Sequence, residues 1–220
     1  WIAEQTGASF GYLTEAANTV GAQFVGAQPQ ADGRNAAQML AGGLKAVLLL
    51  NNEPEVDSAA GQAAAAALGA AQMVVTLSPF KANMAFSDVL LPIAPFTETS
   101  GSFANAEGRV QSFHAVVRPL GETRPAWKVI RVLGNMLGLP GFAQESTQDV
   151  LGALGLEQAE GSTRIPSARL SNATSAAVAA AGPVAAPAVA SIYQLDSLVR
   201  RATSLQLTAD ARQAQGASTA

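Results

Sequence analysis

The residues best suited to acid–base chemistry lie in one glycine-bearing stretch, FTETSGSFANAEGRVQSF (96–113). Glu98, Glu107 and Arg109 stand there beside glycines, and positioned carboxyl groups can transfer protons. No nucleophile accompanies them, and the single histidine of the sequence, His114, follows the stretch. We therefore expect structural roles, in which Glu98 braces the turn, Arg109 pairs with a carboxylate and the glycines supply positive φ. We expect His114 to be a surface or packing residue rather than a base.

A second candidate site is the loop NNEPEVD (51–57), which follows the apolar run KAVLLLN. In open α/β sheets, ligands bind beyond the carboxyl ends of the strands. A phosphate site needs glycine there, so that the backbone can approach the anion. This loop has no glycine, and its Glu53, Glu55 and Asp57 repel phosphate. We expect no tight nucleotide or phosphate site in the loop.

Composition excludes several classes of site in this chain of 220 residues. The absence of cysteine excludes disulfides, thiolate zinc sites and cysteine-ligated iron–sulfur clusters, and one histidine excludes a His-rich metal site. A net charge of −3 gives no reason to expect nucleic acid or an anionic membrane as partner. No apolar run reaches the roughly 18 residues of a membrane span, and no signal peptide is recognisable. We therefore predict that this chain has no catalytic residues, no cofactor-binding residues and no metal-binding residues.

Strand-like and helix-like segments alternate over the first 140 residues or so. This order predicts an α/β fold with a Rossmann-like parallel sheet and flanking helices. The apolar strands are expected to be covered on both faces, and Pro92 shortens the third because it cannot donate a hydrogen bond to a ladder. The predicted strands are 45–51, 72–78 and 88–94, with a short β-like QFVGA at 23–27; the predicted helices are 9–22, 32–43 and 57–71, the last opened by Asp57 or Ser58.

A different pattern follows in GSFANAEGRVQSF, where two alternating segments flank a glycine-bearing turn and predict a β-hairpin or a paired extended arm. Residues 124–139 then predict an amphipathic helix, and residues 147–156 predict another helix, capped by Thr147. The expected packing side of the first helix consists of Trp127, Ile130, Val132, Leu133, Met136 and Leu137.

The sequence divides into three predicted regions. Residues 1–157 form the α/β domain, and without an initiator Met this domain is expected to be truncated at its N-terminus. Residues 158–190 are rich in Ala, Ser and Pro and predict a flexible linker. Residues 191–220 predict a short docking helix and tail, because an apolar patch this small is not stable as an isolated helix. That patch consists of Tyr193, Leu195, Leu198 and Val199, with Arg200 and Arg201 expected to face solvent.

The stretch FSDVLLPIAPFTETSGSFANAEGRVQSF closely resembles molybdopterin-type oxidoreductases, in which an A-D-V-V-L-P strand leads to E-x-x-G-T-x-x-N-x-E-G-R. With KAVLLLNNEPEVD and GETRPAWKVIRVLGNMLGL added, roughly residues 5–142 are similar to the large iron–sulfur subunit of bacterial NADH–quinone oxidoreductase (complex I). The closing IYQLDSLVRRATSLQLTADA also resembles the tail of that subunit. The residues that carry the signature are Asp88, Pro92, Glu98, Gly101, Asn105, Glu107, Gly108 and Arg109.

The resemblance implies a non-catalytic structural part of the complex I subunit, which supports electron transfer from NADH to quinone. The family subunit carries its iron–sulfur clusters in an N-terminal region that is absent here. Molybdoenzymes cradle a pterin dinucleotide with a Gly-x-Asn-Pro turn, and the matching residues 51–54 read Asn-Asn-Glu-Pro. The expected partners are other subunits of the peripheral arm, on the cytoplasmic side of the bacterial inner membrane, without direct membrane insertion. In this interpretation the signature specifies backbone shape and not chemistry.

Two alternatives remain open. The sequence could be the pterin-dinucleotide-binding portion of a catalytic molybdoenzyme, or a free-standing regulatory α/β domain that binds a small molecule. The acidic loop, the lack of a following β-barrel domain and the tail favour the complex I subunit. Molybdenum in the intact parent protein would favour the first alternative.

Overall fold

The computed structural model describes residues 2–8, 16–156, 163–166 and 191–217. The strands are β1 (Ala46–Leu50), β2 (Met73–Ser78), β3 (Val89–Pro92), β4 (Gly101–Ala104), β5 (Arg109–Phe113) and β6 (Thr163–Arg164). The helices are α1 (Ile2–Thr6), α2 (Thr19–Phe24), α3 (Ala36–Leu40), α4 (Pro54–Asp57), α5 (Gln62–Gly69), α6 (Ala126–Met136), α7 (Thr147–Ala153), α8 (Ile192–Leu195), α9 (Thr203–Gln206) and α10 (Ala209–Ala217). Two 3₁₀ turns span Phe96–Glu98 and Val199–Arg201.

The described residues form two compact units. The first contains those within 1–37, 77–80 and 91–174, and the second contains those within 38–76, 81–90 and 175–220. Within the described part of the chain, every helix is too short or too polar to cross a bilayer.

Strands β1, β2 and β3 form a parallel sheet in that order, which confirms the predicted α/β fold class. Strand β2 is the most buried, and Val74 and Thr76 are at most 1% exposed. Asp88 aligns the chain entering β3, because its carboxylate accepts the Val74 amide at 2.7 Å while its own amide donates to the Val74 carbonyl at 2.9 Å. The expectation that β1 is covered on both faces is wrong, since Leu48 and Leu50 are about half exposed on this edge strand.

Several predicted helix boundaries differ from the structure. Helix α2 begins at Thr19, and predicted helical residues 9–15 lie outside the described residues. The prediction of a β-like QFVGA is wrong, because Gln23 and Phe24 end α2 and the amides of Gly26 and Ala27 close its last turn on helix carbonyls. Helix α3 is confined to Ala36–Leu40.

Helix α5 begins at Gln62 and not at Asp57 or Ser58. Residues 54–57 form the separate helix α4, which is opened by a proline that is favourable in a first turn. The Ser58 hydroxyl then donates to the Pro54 carbonyl at 2.6 Å, so this side chain ends α4 and does not open α5.

The predicted hairpin is confirmed: β4 and β5 pair antiparallel, with Gly101 opposite Phe113 and Ala104 opposite Val110. Asn105 shapes the connecting turn, because its side-chain oxygen accepts the amides of Glu107 and Arg109 at 3.0 and 2.9 Å. Gly108 closes the turn with φ of +75°. This is the left-handed region, where a Cβ is costly and glycine is not.

Strand β6 continues the hairpin sheet, because Arg109 pairs with Arg164 in antiparallel register. Ile165 follows, is 1% exposed and donates its amide to the Gly108 carbonyl at 2.8 Å. Residues 163–166 of the predicted linker thus form a short ladder and bury one isoleucine, while the flexibility of the linker stays a prediction. The rest of the predicted linker, 158–162 and 167–190, lies outside the described residues. The core cluster of this unit contains Ala104, Val110, Leu156 and Ile165, with Val20, Phe24, Leu151 and Leu154 packed against it.

Helix α6 follows Pro125, and Gly134 is its buried residue. A Cβ on Gly134 would lie 2.5 Å from ring atoms of Phe142, so glycine permits this close contact. Helix α7 is capped by Ser146, not by Thr147 as predicted. The Ser146 hydroxyl accepts the Asp149 amide, and the Asp149 carboxylate accepts the Ser146 amide, which completes a capping box.

The turn geometry predicts that Gly108→Val destabilises the protein by about 1–3 kcal/mol, because valine is forced into strained backbone. Gly108→Asn is the matched control, since asparagine tolerates the left-handed region better than other residues with a Cβ. Urea unfolding measures both free energies. Equal stability of the valine variant and the wild type would contradict this account of the turn.

Candidate functional site

The acidic loop, residues 51–57, leaves the carboxyl end of β1 in a tightly specified shape. Asn51 has a positive φ of 48°, and the Asn52 carbonyl accepts the Asn83 side-chain amide at 2.9 Å. The Asp57 carboxylate folds back and accepts the Glu53 amide at 2.7 Å. Pro54 between them is buried. This geometry brings the Glu53 and Asp57 side chains to the same end of helix α4.

Two arginines of the tail segment, residues 191–217, pair with these carboxylates. Arg201 donates two hydrogen bonds to the Glu53 carboxylate, at 2.8 Å from Nη1 to Oε1 and 2.9 Å from Nη2 to Oε2. Arg200 spans both acids, at 3.2 Å to Glu53 and 3.0 Å to Asp57. Charge-assisted, bidentate bonds of this kind are among the strongest that side chains make. We call Glu53, Asp57, Arg200 and Arg201 the ion-pair cluster.

The ion-pair cluster is mostly shielded from solvent. The side chains of Glu53, Asp57 and Arg200 are 18%, 16% and 15% exposed, and that of Arg201 is 35% exposed. The expectation that both arginines face solvent is therefore wrong for Arg200, whereas Arg201 stays exposed while it pairs with Glu53. Buried carboxylates without cations would be strongly unfavourable, so the pairing of the arginines outweighs their tendency to remain hydrated.

Hydrogen bonds within the tail segment hold the two arginines in place. The Ser191 hydroxyl caps α8 by accepting the Tyr193 amide, and the Asp196 carboxylate accepts the amides of Leu198 and Val199. The Gln206 side-chain amide donates to the carbonyls of Tyr193 and Val199, at 3.0 and 2.9 Å. Hydrogen bonds within the tail segment thus hold the 3₁₀ turn that carries the arginines from both sides.

The electrostatics of the ion-pair cluster follow from burial and charge. Burial raises the pKa of Glu53, but the hydrogen bond from Arg201 and the charges of both arginines outweigh it, so the net pKa lies below its usual value of 4.5. Burial likewise lowers the pKa of Arg200, yet bonding to Asp57 and the charge of Glu53 raise it overall. Both groups are therefore held ionised in the folded state.

This arrangement is suited to holding two segments together and poorly suited to binding an anion. Each guanidinium already pairs with a carboxylate, and the negative charge of these acids would repel a phosphate. The loop residues therefore do not fit the phosphates of a pterin dinucleotide. Among the described residues, no group of three or more His, Cys, Asp or Glu is placed to hold a metal ion.

The signature residues of the hairpin region lie in the other unit and contact mainly backbone. The Glu98 carboxylate accepts the Leu120 amide at 2.9 Å, which braces the turn after the hairpin. Glu107 lies 3.9 Å from Arg109 and 3.5 Å from Arg164, in pairs whose side chains are about half exposed or more. Gly101 lies against the Phe113 ring, where a Cβ would approach to 2.7 Å.

The remaining signature residues and His114 have other local environments. Asp88 bonds the β2 backbone, Pro92 ends β3, and His114 is exposed after β5. The structure thus places the signature residues at separate backbone positions.

Sequence reasoning missed three residues at the acidic loop: Arg200, Arg201 and Asn83. The arginines are 143 to 148 residues from their acids, so no local pattern connects them. One signal in the sequence could have predicted the contact. The acidic loop and the two adjacent arginines of the tail carry opposite charges, and the tail was expected to dock. Asn83 has a positive φ of 59°, which an asparagine before a turn can adopt.

We predict that Arg200→Ala destabilises the docked tail segment by about 1–3 kcal/mol, between the values for exposed and fully buried pairs. The stability is lost because the Asp57 and Glu53 carboxylates remain shielded from water but have one cation fewer to pair with. Arg124→Ala is the matched control, since Arg124 pairs with a Glu122 side chain that is 94% exposed, and should cost less than about 0.5 kcal/mol. Hydrogen exchange of the Leu198 and Val199 amides reports tail opening. Equal protection in both variants would argue against the ion-pair cluster as the docking contact.

The lowered pKa of Glu53 predicts a loss of stability in acid. Above the ordinary value of 4.5, Glu53 is ionised whether the chain is folded or unfolded, so its stabilisation is fully present. As pH falls below that value and through the lower folded pKa, Glu53 protonates and the stabilisation is lost. The free-energy difference between wild type and Glu53→Gln should be constant from neutral pH down to about pH 5 and shrink below it. Glu122→Gln controls for the charge change itself; a difference independent of pH would exclude Glu53 as the titrating group.

Comparisons with known proteins agree with the sequence resemblance at the level of the family. A Staphylococcus aureus protein named as a putative formate dehydrogenase is 43% identical over 53 residues, which are 24% of this chain and 5% of that protein. A Bacillus subtilis protein named as the probable oxidoreductase YjgC is 41% identical over 66 residues, 30% of this chain and 7% of that protein. The chain thus matches only a small part of the length of these curated relatives.

The family description molybdopterin oxidoreductase matches residues 2–136. The match includes the parallel sheet, the acidic loop and the hairpin signature. Because it covers more than half of the chain, the chain belongs to the molybdopterin oxidoreductase family.

Proposed function

We propose that this protein is a structural, non-catalytic part of the large iron–sulfur subunit of a bacterial NADH–quinone oxidoreductase (complex I). The observation that carries the proposal is the ion-pair cluster at the carboxyl end of β1. In an open α/β sheet this end is the usual ligand position. Here Arg200 and Arg201 pair with Glu53 and Asp57 at that position, in a loop without glycine. A position used for docking the protein's own tail is not available to a dinucleotide.

In this proposal the protein braces the peripheral arm by contacts with neighbouring subunits, on the cytoplasmic side of the inner membrane. It binds no cofactor itself, and electrons pass through iron–sulfur clusters elsewhere in the parent subunit. The tail that resembles the complex I subunit is the segment that delivers the two arginines, so the resemblance and the contact involve the same residues.

The second candidate is the pterin-dinucleotide-binding portion of a catalytic molybdoenzyme. The names of the relatives, formate dehydrogenase and the oxidoreductase YjgC, favour it. Against it stand the carboxylates of the acidic loop, which would have to lie beside phosphates.

Metal analysis of the purified intact parent protein separates the two candidates. The complex I subunit predicts iron and acid-labile sulfide without stoichiometric molybdenum. Stoichiometric molybdenum or tungsten would overturn the proposal and establish the second candidate.

We also predict that the protein binds guanine and nicotinamide nucleotides no tighter than about 1 mM in calorimetry, because carboxylates face the approach of a phosphate. Glu53→Gly tests whether removing one acid and adding a glycine creates a site. Glu122→Gly is the matched control at an exposed position. Submillimolar binding by the wild type that Glu53→Gly strengthens would show that the loop is a functional nucleotide site and contradict the proposal.

A further inference from the structure

Helix α6 presents an apolar surface that the described residues leave open. Sequence periodicity places Val132, Met136 and Leu137 on its packing side, but they are 50%, 81% and 66% exposed. The packing prediction is therefore wrong for these three residues. The helix instead makes its close contact at Gly134, which lies against the Phe142 ring. An amphipathic helix normally buries its apolar stripe. A stripe this exposed is typical of an interaction surface.

The exposed stripe borders a groove of about 570 Å³ within one structural unit. This volume lies within the usual range of binding pockets, and the concave shape suits a ridge of side chains better than a flat surface. The groove is lined by Leu91, Val129, Val132, Leu133 and Met136, together with Arg124, Lys128 and Arg131.

The charged residues of the groove all carry the same sign. Arg124, Lys128 and Arg131 line it, and among the described residues no carboxylate lines it. Arg131 also donates to the Gln144 carbonyl at 2.9 Å, which leaves its charge unneutralised. Arg124 has a partner in Glu122 at 3.5 Å, but that carboxylate is 94% exposed and such a pair contributes little. The Lys128 ammonium lies 5.3 Å from the Trp127 ring centroid, a cation–π contact that does not neutralise its charge. The groove is thus lined by both apolar and cationic side chains.

We propose that this groove docks an acidic amphipathic helix of a neighbouring protein. Apolar side chains at helical spacing on that helix fill the groove beside Val132 and Met136, and its flanking carboxylates pair with Lys128 and Arg124. This is the helix-in-groove mode of recognition, with charge complementarity that selects the partner. The proposal depends only on the exposure of the apolar side chains and on the charge of the groove. It therefore does not depend on which parent protein contains the groove.

Charge argues against two other occupants of the groove. A second copy of the same surface would bring like charges together, which opposes self-association through it. An anionic bilayer would attract the three cations, but the protein as a whole carries a net charge of −3, and its exposed apolar side chains border a concavity.

The experiment uses the full chain and three synthetic probes. Two helical peptides of about 18 residues share leucines at i, i+3, i+4 and i+7 and differ only in glutamate or lysine flanks. Vesicles with anionic lipid form the third probe. Fluorescence anisotropy should give micromolar binding of the glutamate peptide, about tenfold tighter than that of the lysine peptide at low salt, since two or three surface pairs differ in sign.

Matched variants locate the binding surface. Met136→Glu should weaken glutamate-peptide binding about tenfold or more, because it places a carboxylate against both the apolar face and the acidic flank. Val116→Glu introduces the same charge at an equally exposed residue of the same unit, 82% against 81%, and should leave binding unchanged. Lys128→Glu should reduce or reverse the preference for the glutamate peptide. Unchanged melting temperatures show that the variants fold.

Three results would overturn the inference. The first is binding of both peptides with equal affinity, or of neither. The second is vesicle binding that Met136→Glu abolishes while peptides do not bind, which would assign the surface to a membrane. The third is self-association in sedimentation that Met136→Glu removes, which would assign it to a second copy. None of these results bears on the metal content of the parent protein, so this inference and the proposed function fail independently.

Discussion

Two carboxylates that lie mostly out of water require cations close by, and the second unit of the protein is organised around this requirement. Glu53 and Asp57 are brought together because the Glu53 backbone amide donates to the Asp57 carboxylate, which concentrates negative charge at the end of β1. Burial of that charge is unfavourable unless it is paired and hydrogen-bonded. Arg200 and Arg201 supply the pairing from a segment more than 140 residues away. The position of the tail segment thus follows from the electrostatics of the loop.

The sequence was sufficient for features that depend on local patterns. Apolar runs located β1, β2 and β3, and alternation around a glycine-bearing turn located the hairpin. These predictions succeed because strand periodicity and turn chemistry are properties of neighbouring residues.

Features set by distant contacts could not be predicted in the same way. The exposure of Leu48 depends on where β1 lies in the sheet, and the order at Ile165 depends on a core formed with Val110 and Ala104. Two adjacent arginines such as Arg200 and Arg201 are typical of a solvated helix face. Their role as ion-pair partners of Glu53 follows only from spatial proximity. Tertiary contacts outweigh local preference in each of these cases.

Several polar residues of the family signature use their side-chain oxygens to accept backbone amides. Asp88 accepts from Val74, Glu98 from Leu120, and Asn105 from Glu107 and Arg109. A buried or strained amide that loses its acceptor costs free energy whether or not any chemistry takes place nearby. Selection for the shape of the backbone is therefore sufficient to maintain such residues.

The ion-pair cluster also constrains how the sequence can change over time. Replacement of either tail arginine leaves a shielded carboxylate short of a cation, and replacement of Glu53 leaves two guanidiniums with one acid between them. A first substitution on either side is unfavourable, while a matching second substitution on the other side restores neutrality. The loop after β1 and the tail segment, although far apart in the chain, are expected to evolve as one linked pair.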